Sequence, residues 1–264
     1  MHEKPSCGRW KAWGTAVLLR DDLRLALDRV AFAEKLGIAP DRWQGSLLRS
    51  EAPRVLLNCS RQSGKSTTAG ILALHRALYH PGSLVLVLAP ALRQSQELFG
   101  KVAGFYRTLD RPVSPKGERR LSLELENGSR IVTLPGTEKT IRGFSGASLL
   151  LVDEAARVAN DLYASIRPML AVSGGRLLAL STPFGTRGWF YDAWVSAEPW
   201  ERYQVPATEV PRISPEFLEE ERRTLGEWWF EQEYMCRFLD AETQAFRRED
   251  IDRAFEEEVQ AWEL

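Results

Sequence analysis

The feature that most constrains the fold is the stretch of residues 55–68, which reads VLLNCSRQSGKSTT. An apolar run suited to a buried strand leads into Gly64-Lys65-Ser66, and a helical pattern follows directly. In such a strand–loop–helix unit, the inward-pointing N–H groups of the loop and the helix N-terminus both favour an anion. The segment therefore predicts a phosphate-binding loop, or P-loop, at the end of a central strand.

Two side chains of this loop carry the expected chemistry. The ammonium group of Lys65 can reach the β- and γ-phosphates, and the hydroxyl of Ser66 can bind Mg²⁺. The general pattern has a glycine five residues before Gly64, where this chain has Cys59. The predicted nucleotide-contacting residues of the loop are Ser60, Arg61, Gln62, Ser63, Gly64, Lys65, Ser66 and Thr67.

A second motif, residues 148–154 with the sequence SLLLVDE, supports this interpretation. A buried strand would place Asp153 at its carboxyl end, where open α/β sheets bind ligands and where Asp153 could hold Mg²⁺. Glu154 follows and can act as the general base that polarises an attacking water. An adjacent glutamate favours a hydrolase over a kinase, so the two motifs predict a nucleoside triphosphatase.

Short apolar runs alternate with helical stretches along the middle of the chain, which is typical of an α/β fold with a mostly parallel sheet flanked by helices. The predicted strands are Val55–Asn58, Leu84–Ala89, Ser129–Leu134, Leu149–Asp153 and Leu177–Ser181. The predicted helices between them lie at 67–79, 92–109 and 160–171. Within Leu121–Leu134, two alternating runs flank Asn127-Gly128, which predicts an inserted β-hairpin.

Both ends of the chain have helical patterns. A helix is expected over 21–36, where Gly37 ends it, and a long helical stretch over 215–239. We therefore expect three parts: an N-terminal helical extension (1–40), a P-loop ATPase core (41–185) and a small lid or C-terminal helical subdomain (186–264).

The overall charge gives no reason to expect nucleic-acid binding, because 35 basic residues face 36 acidic ones and the net charge is −1. Contact with DNA would need a local basic patch. The best candidate patch comprises Arg107, Arg111, Lys116, Arg119 and Arg120. A solvated charged loop is the alternative explanation of this patch.

No membrane partner is expected. The longest apolar stretch, Ser83 to Leu92, is about half the ~20 residues that span a bilayer. The chain has three cysteines and no CxxC spacing, which favours a reducing, intracellular compartment over a disulfide framework or a zinc site.

Taken together, the motifs resemble the ATPase domain of the large terminase subunit, the motor that packages DNA into tailed-phage procapsids. The resemblance covers about residues 40–240 and includes a P-loop variant that carries an arginine and lacks the first glycine. Its motifs lie at Trp43-Gln44, at residues 60–66, at Ser181-Thr182-Pro183 and at residues 230–240.

The resemblance implies an ASCE-type P-loop NTPase fold and assigns further roles. Gln44 would contact the adenine of ATP, and Ser181 and Thr182 would couple hydrolysis to movement. Arg142, in a glycine-bounded loop, would be an arginine finger acting on a neighbouring subunit, with Arg61 as a rival acting within its own subunit. A DNA-backbone contact or a salt bridge remains the alternative for Arg142.

The resemblance also implies partners and a place of action. These are double-stranded DNA, a ring of copies that would be a pentamer, the portal protein, the small terminase subunit, and the host cytoplasm with transient docking on the procapsid. The carboxylates after residue 240 fit a charged helix face better than a metal pocket, so a nuclease domain is expected to be absent. Two alternatives stay open: a helicase-like ATPase and a nucleotide-gated assembly module with negligible hydrolysis.

Overall fold

A computed structural model describes residues 16–135 and 143–240 of the chain. The strands are β1 (Arg54–Cys59), β2 (Leu84–Ala89), β3 (Pro115–Arg119), β4 (Ser122–Leu125), β5 (Arg130–Pro135), β6 (Leu149–Asp153), β7 (Arg176–Ser181) and β8 (Glu201–Val205). The helices are α1 (Ala16–Leu27), α2 (Arg29–Lys35), α3 (Arg42–Arg49), α4 (Lys65–Tyr79), α5 (Leu92–Thr108), α6 (Asn160–Ile166), α7 (Trp189–Val195), α8 (Pro215–Leu225) and α9 (Glu227–Glu233). Short 3₁₀ helices lie at Ala155–Arg157, Arg167–Leu170 and Ala207–Glu209.

The strands form one eight-stranded sheet in the order β3-β4-β5-β2-β6-β7-β1-β8. The six strands from β5 to β8 in this order are parallel to one another. Strand β4 is antiparallel to both β3 and β5. Strands β6, β7 and β1 are neighbours, so their carboxyl ends meet at one edge of the sheet. This edge is where a ligand site is expected in an open parallel sheet.

Helices cover both faces of the sheet, which explains why β2 and β6 are buried along their whole length. On one face, the core contains Phe32, Leu48, Leu74 and Tyr106, contributed by α2 to α5. The other face is covered by side chains that include Ile166, Met169, Trp189 and Phe190. The fold class expected from the sequence is thereby confirmed.

A third, separate cluster lies outside the sheet. Ala207, Leu218, Phe230 and Tyr234 pack together, and they bring α8 against α9. Two helices with their own small core correspond to the helical appendage expected near the end of the chain.

The five strands expected from apolar runs are present, each with bounds within one residue of the prediction. The hairpin expected at Asn127-Gly128 is also present, because β4 and β5 pair antiparallel across it. Gly128 adopts a positive φ of 82°, a conformation that glycine tolerates without strain. The Nδ2 of Asn127 donates to the carbonyl oxygen of Ala77, which fixes the hairpin turn to the end of α4.

Both long terminal helices were predicted wrongly as single helices. The first is divided at Asp28, whose Oδ1 accepts a hydrogen bond of 2.9 Å from the N–H of Val30 and caps the start of α2. The second is divided at Gly226, which has a φ of 80° and separates α8 from α9. From the end of α9 to residue 240, where the described range ends, the chain is not helical, and Cys236 has a φ of 60°.

Two strands and one helix were not predicted. Strands β3 and β8 lie at the two edges of the sheet, where charged and polar side chains are tolerated and the apolar signal is weak. Strand β8 lies in the part of the chain, after residue 185, that was expected to form a helical subdomain. The helix α3 was missed because it has only eight residues. Across the described ranges, no helix combines the length and the apolar character needed to cross a membrane.

The tightest backbone approach is at Gly175, just before β7. A Cβ atom there would lie 2.1 Å from the carbonyl oxygen of Ala147, closer than any relaxed contact. We expect Gly175→Ala to lower the free energy of unfolding by about 1–3 kcal/mol, because backbone must move to admit the methyl group. Chemical denaturation would measure this change in the free energy of unfolding.

The matched control is Gly100→Ala in α5, where a Cβ meets nothing within 4 Å. This substitution should stabilise the protein by about 0.5–1 kcal/mol, since alanine loses less entropy in a helix. Equal effects of the two substitutions would contradict the close packing at Gly175.

Candidate nucleotide site

The loop between β1 and α4 has a backbone shaped for an anion. Gln62 and Gly64 both have positive φ values, 57° and 93°. Within the described residues, no side chain caps the first turn of α4 at Gly64. The N–H groups of that turn are therefore left for a ligand, and the helix dipole favours a negative one.

Gln44 holds this loop from one side. Its side chain is buried, its Oε1 accepts a 2.8 Å hydrogen bond from the N–H of Asp41, and its Nε2 lies beside Gly64. A Cβ at Gly64 would lie 2.7 Å from that Nε2, and the φ of 93° at this position favours glycine. Arg212 completes the support, because it binds Asp41 Oδ1 at 2.8 Å and the carbonyl oxygen of Ser63 at 3.0 Å.

The loop opens into a cavity of about 660 Å³, a size typical of ligand sites. Its lining residues are Arg61, Gln62, Ser63, Gly64, Lys65, Ser66, Thr67, Gln94, Glu97, Lys101, Glu154, Arg157, Thr182 and Arg212. Ser60 and Cys59 do not line the cavity and are fully buried. Burial raises the pKa of the Cys59 thiol to about 12, so the residue that replaces the first glycine belongs to the core.

Asp153 is the last residue of β6 and is buried next to Glu154, whose N–H donates to Asp153 Oδ1 at 3.0 Å. Burial, and secondarily the neighbouring Glu154, raise the pKa of Asp153 to about 6. A bound cation would lower the free-energy cost of the buried, charged carboxylate. Within the described chain, no group of three or more His, Cys, Asp or Glu side chains could hold a metal. A Mg²⁺ ion would therefore depend on Asp153, Ser66 and phosphate oxygens, the hard oxygen ligands that it prefers.

Glu154 reaches the same cavity because of its unusual backbone. It has a φ of 49° and precedes the 3₁₀ helix Ala155–Arg157 as its N-cap. Its Oε1 lies 3.7 Å from Lys65 Nζ, and its Oε2 accepts a 3.1 Å hydrogen bond from Arg157 Nη1. The two motifs that lie far apart in the sequence thus meet at one ion pair.

The remaining predicted residues occupy different surroundings. Ser181 is buried at the end of β7, and Thr182 Oγ1 accepts a 3.3 Å hydrogen bond from Arg157. Arg61 donates from Nε to Glu233 Oε2 at 2.7 Å, a contact that raises the pKa of the guanidinium. Arg142 lies outside the described residues.

The proposed DNA patch lies away from the cavity, around β3 at the edge of the sheet. Much of its charge is balanced: Arg107 and Arg111 both pair with Glu118, and Lys116 pairs with Glu124. Arg120 lies within hydrogen-bonding distance of the Gln96 carboxamide. Arg119 ends β3 and is exposed. The patch stays a prediction.

Six residues of the site were missed in the sequence: Gln94, Glu97, Lys101, Arg157 and Arg212, which line the cavity, and Glu233, which holds Arg61. Arg157 had a detectable signal, because it follows Glu154 by three residues and can face it within one helical turn. Arg212 and Glu233 are distant in sequence, and only the fold brings them to the loop.

The raised pKa of Asp153 has a consequence for stability. Its ordinary value is 3.8 and its value in the folded protein is about 6, so the folded state holds the proton more tightly. Its contribution to stability is complete below pH 3.8 and is lost as the pH rises through about 6. We therefore compare the free energies of unfolding of Asp153→Asn and of the parent, both free of nucleotide and metal. As the pH rises from 5 to 8, the difference should shift in favour of Asp153→Asn by about 1–3 kcal/mol.

The measurement is chemical denaturation of both proteins at several pH values. Asp161→Asn, at an exposed carboxylate in the first turn of α6, is the control for removing a carboxylate that is not buried. A difference at Asp153 that stays constant across this range would contradict the argument.

Comparison with known proteins finds chains of similar sequence. Residues 56–253 match the family model described as terminase large subunit, T4likevirus-type, N-terminal. The chain is 31% identical over 242 residues to the terminase large subunit of Thermus phage G20c, a match that covers 83% of this chain and 49% of that protein. The terminase large subunit of Escherichia phage T5 is 27% identical over 222 residues, covering 80% and 50%. The chain spans about half the length of the curated relatives it matches.

Solved structures share the fold. The large terminase ATPase domain of Thermus phage P74-26 superposes with a TM-score of 0.71 at 26% identity, covering 79% of this chain and 97% of that domain. The HK97 bacteriophage large terminase gives a TM-score of 0.64 at 15% identity, covering 76% and 51%. The large terminase of a thermophilic bacteriophage, in complex with ATP-gamma-S, gives 0.59 at 12%, covering 75% and 53%.

Proposed function

The chain belongs to the terminase large-subunit family, and we propose that it is the ATP-hydrolysing motor domain that drives double-stranded DNA into a viral procapsid. The observation that carries the proposal is the meeting of Lys65 and Glu154, 3.7 Å apart, in one cavity at the carboxyl edge of the sheet. A phosphate-binding cation and a carboxylate beside it are what hydrolysis of a triphosphate needs.

The phosphate end of ATP would lie on the P-loop. The uncapped N–H groups of the first turn of α4 would bind its oxygens, and Lys65 would contact the β- and γ-phosphates. Ser66 and Asp153 would hold Mg²⁺, which supplies positive charge at the phosphate oxygens when it is bound. The Nε2 of Gln44, which lies beside Gly64, is the group proposed to contact adenine.

Glu154 is proposed as the general base. A water attacks the γ-phosphorus, the bond from that phosphorus to the bridging oxygen of ADP breaks, and the carboxylate of Glu154 accepts the proton of the water. The left-handed backbone of Glu154 supports this role, because such conformations cost energy and persist where a side chain must be aimed. The products are ADP and phosphate.

The packaging role rests on the named relatives, which are terminase large subunits and a terminase ATPase domain. These favour a packaging motor over a helicase. We propose that the domain acts in a ring of copies with the portal protein and the small subunit, in the host cytoplasm. Thr182, which accepts a hydrogen bond from Arg157, is the proposed start of coupling to movement, next to the buried Ser181.

For the arginine finger, we propose Arg142 acting on a neighbouring subunit. The rival Arg61 is held by Glu233 through two contacts, from its Nε and from its backbone N–H. A guanidinium so engaged contributes less readily to the phosphate of its own subunit, which leaves the finger role to another arginine.

We expect Glu154→Gln to bind ATP but to hydrolyse it about 10²–10⁴-fold more slowly, since the amide cannot accept the proton. Phosphate release and retention of labelled ATP on the protein measure the two properties. Glu220→Gln, an exposed position on α8, is the control and should behave as the parent. Hydrolysis by Glu154→Gln at the parent rate would show that the assigned base is wrong.

The same pair of proteins tests the motor role. The parent should displace the third strand from a DNA triplex without separating the two strands of the duplex. Glu154→Gln should displace no strand. Separation of the duplex by the parent would favour the helicase alternative instead.

Subunit mixing tests the finger. Lys65→Ala and Arg142→Ala should each lose most activity, and their mixture should regain part of it, because a Lys65→Ala subunit can lend Arg142 to the intact site of its neighbour. A finger is typically worth about 10³–10⁵ in rate, so the recovery is measurable. Mixing Lys65→Ala with Glu154→Gln is the control. Each substitution damages the nucleotide site of its own subunit, so neither variant can restore the site of the other. Absence of recovery in verified mixed oligomers would exclude the trans assignment.

A further inference from the structure

Arg157, which has no role in the proposed hydrolysis step, lies at the centre of a row of alternating charges. We call it the charge row, and its members in order are Lys65, Glu154, Arg157, Glu233 and Arg61. The first and last members are both on the P-loop segment. The other three come from the segment after β6 that forms a 3₁₀ helix and from the end of α9.

The contacts of the row are specific to single atoms. Glu154 Oε1 faces Lys65 Nζ at 3.7 Å, and its Oε2 faces Arg157 Nη1 at 3.1 Å. Arg157 Nη2 lies 3.6 Å from Glu233 Oε1, and Glu233 Oε2 lies 2.7 Å from Arg61 Nε. Each of the four carboxylate oxygens thus faces one cation, and Arg157 bridges the two carboxylates.

Arg157 is held in this position by its other neighbours. Its Nη1 also donates to Thr182 Oγ1 at 3.3 Å, and its guanidinium lies 4.7 Å from the centre of the Phe184 ring. Only 29% of its side chain and 5% of that of Glu233 are exposed, so water weakens these contacts less than it does at the surface. A planar, forked guanidinium can satisfy several such partners at once.

Nucleotide binding would change the Lys65 end of the row but not its centre. Lys65 is on the loop that would cradle phosphate, and a triphosphate attracts its cation. When Lys65 turns to the phosphates, Glu154 keeps one cation among its described contacts, and that cation is Arg157. The same guanidinium then holds Glu233 as well.

We infer that Arg157 is a positioning residue, which aims the Glu154 carboxylate for proton acceptance and makes that aim depend on Glu233 of α9. The inference rests on the proposed function, because it gives a positioning partner to the proposed general base. It also assigns a role to Glu233: an intact α9 becomes a condition for hydrolysis, since Arg157 loses one of its anchors without Glu233.

The test begins with Arg157→Gln. We expect kcat for ATP to fall about 10–100-fold, because a misaimed carboxylate accepts the proton poorly, while KM changes less than about threefold. Arg157→Lys should recover part of the loss, since an ammonium can hold Glu154 but cannot bridge to Glu233. Arg167→Gln, at an exposed arginine that lies over the Tyr163 ring, is the matched control and should keep the parent kcat.

The second part of the test asks whether Glu233 acts through Arg157. Glu233→Gln alone should lower kcat, but it should cost little more in the Arg157→Gln background, because the link it supports is already gone. Thermal unfolding of every variant, with and without a non-hydrolysable ATP analogue, checks folding and nucleotide binding. If Arg157→Gln does not fold, the same double-mutant cycle is measured with Arg157→Lys and Glu233→Gln.

Three results would overturn the inference: an unchanged kcat in Arg157→Gln, a raised KM with unchanged kcat, or effects of Arg157→Gln and Glu233→Gln that multiply independently. Failure of the proposed function is distinguishable from these. In that case the parent itself would not hydrolyse ATP, or Glu154→Gln would hydrolyse it at the parent rate.

Discussion

The site depends on one constraint, the parallel alignment of β6, β7 and β1 as neighbours in the sheet. Strands buried on both faces must run as continuous apolar stretches, so their first polar residues appear where the strands end. Because the three strands are parallel, those ends meet at one edge. Cys59, Asp153 and Ser181 are the last residues of these strands, and the P-loop, Glu154 and Thr182 follow directly. The chemistry of the cavity is therefore a consequence of the strand order.

The two neighbouring carboxylates at this edge are in opposite electrostatic situations. Asp153 is buried and its pKa is raised to about 6, so its charged form is the costly one until a cation arrives. Glu154 is partly exposed and faces two cations, Lys65 and Arg157. A change of backbone from the extended strand to a left-handed conformation at Glu154 separates the two side chains. The two side chains thus point apart, as the proposed roles of metal ligand for Asp153 and general base for Glu154 require.

Sequence patterns predicted those parts of the fold that local chemistry determines. Buried strands such as β2 and β6 are recognisable because both faces need apolar residues, and the loop after β1 is recognisable from Gly64-Lys65-Ser66 at the start of a helix. Strand β8 was not predictable in this way, since an edge strand has one neighbour and tolerates polar residues. The pairing of Arg157 with Glu233 was equally hidden, because it depends on where α9 packs after the chain has crossed the sheet.

Helix α5 connects the nucleotide cavity with the distant basic patch. Gln94, Glu97 and Lys101 of this helix line the cavity, and Lys101 Nζ lies 3.4 Å from Thr67 Oγ1 on α4. Near its far end, Arg107 pairs with Glu118 on β3, the outermost strand. A helix of 17 residues is about 25 Å long. The side chains that line the cavity and the one that pairs with β3 are therefore carried by the same helix.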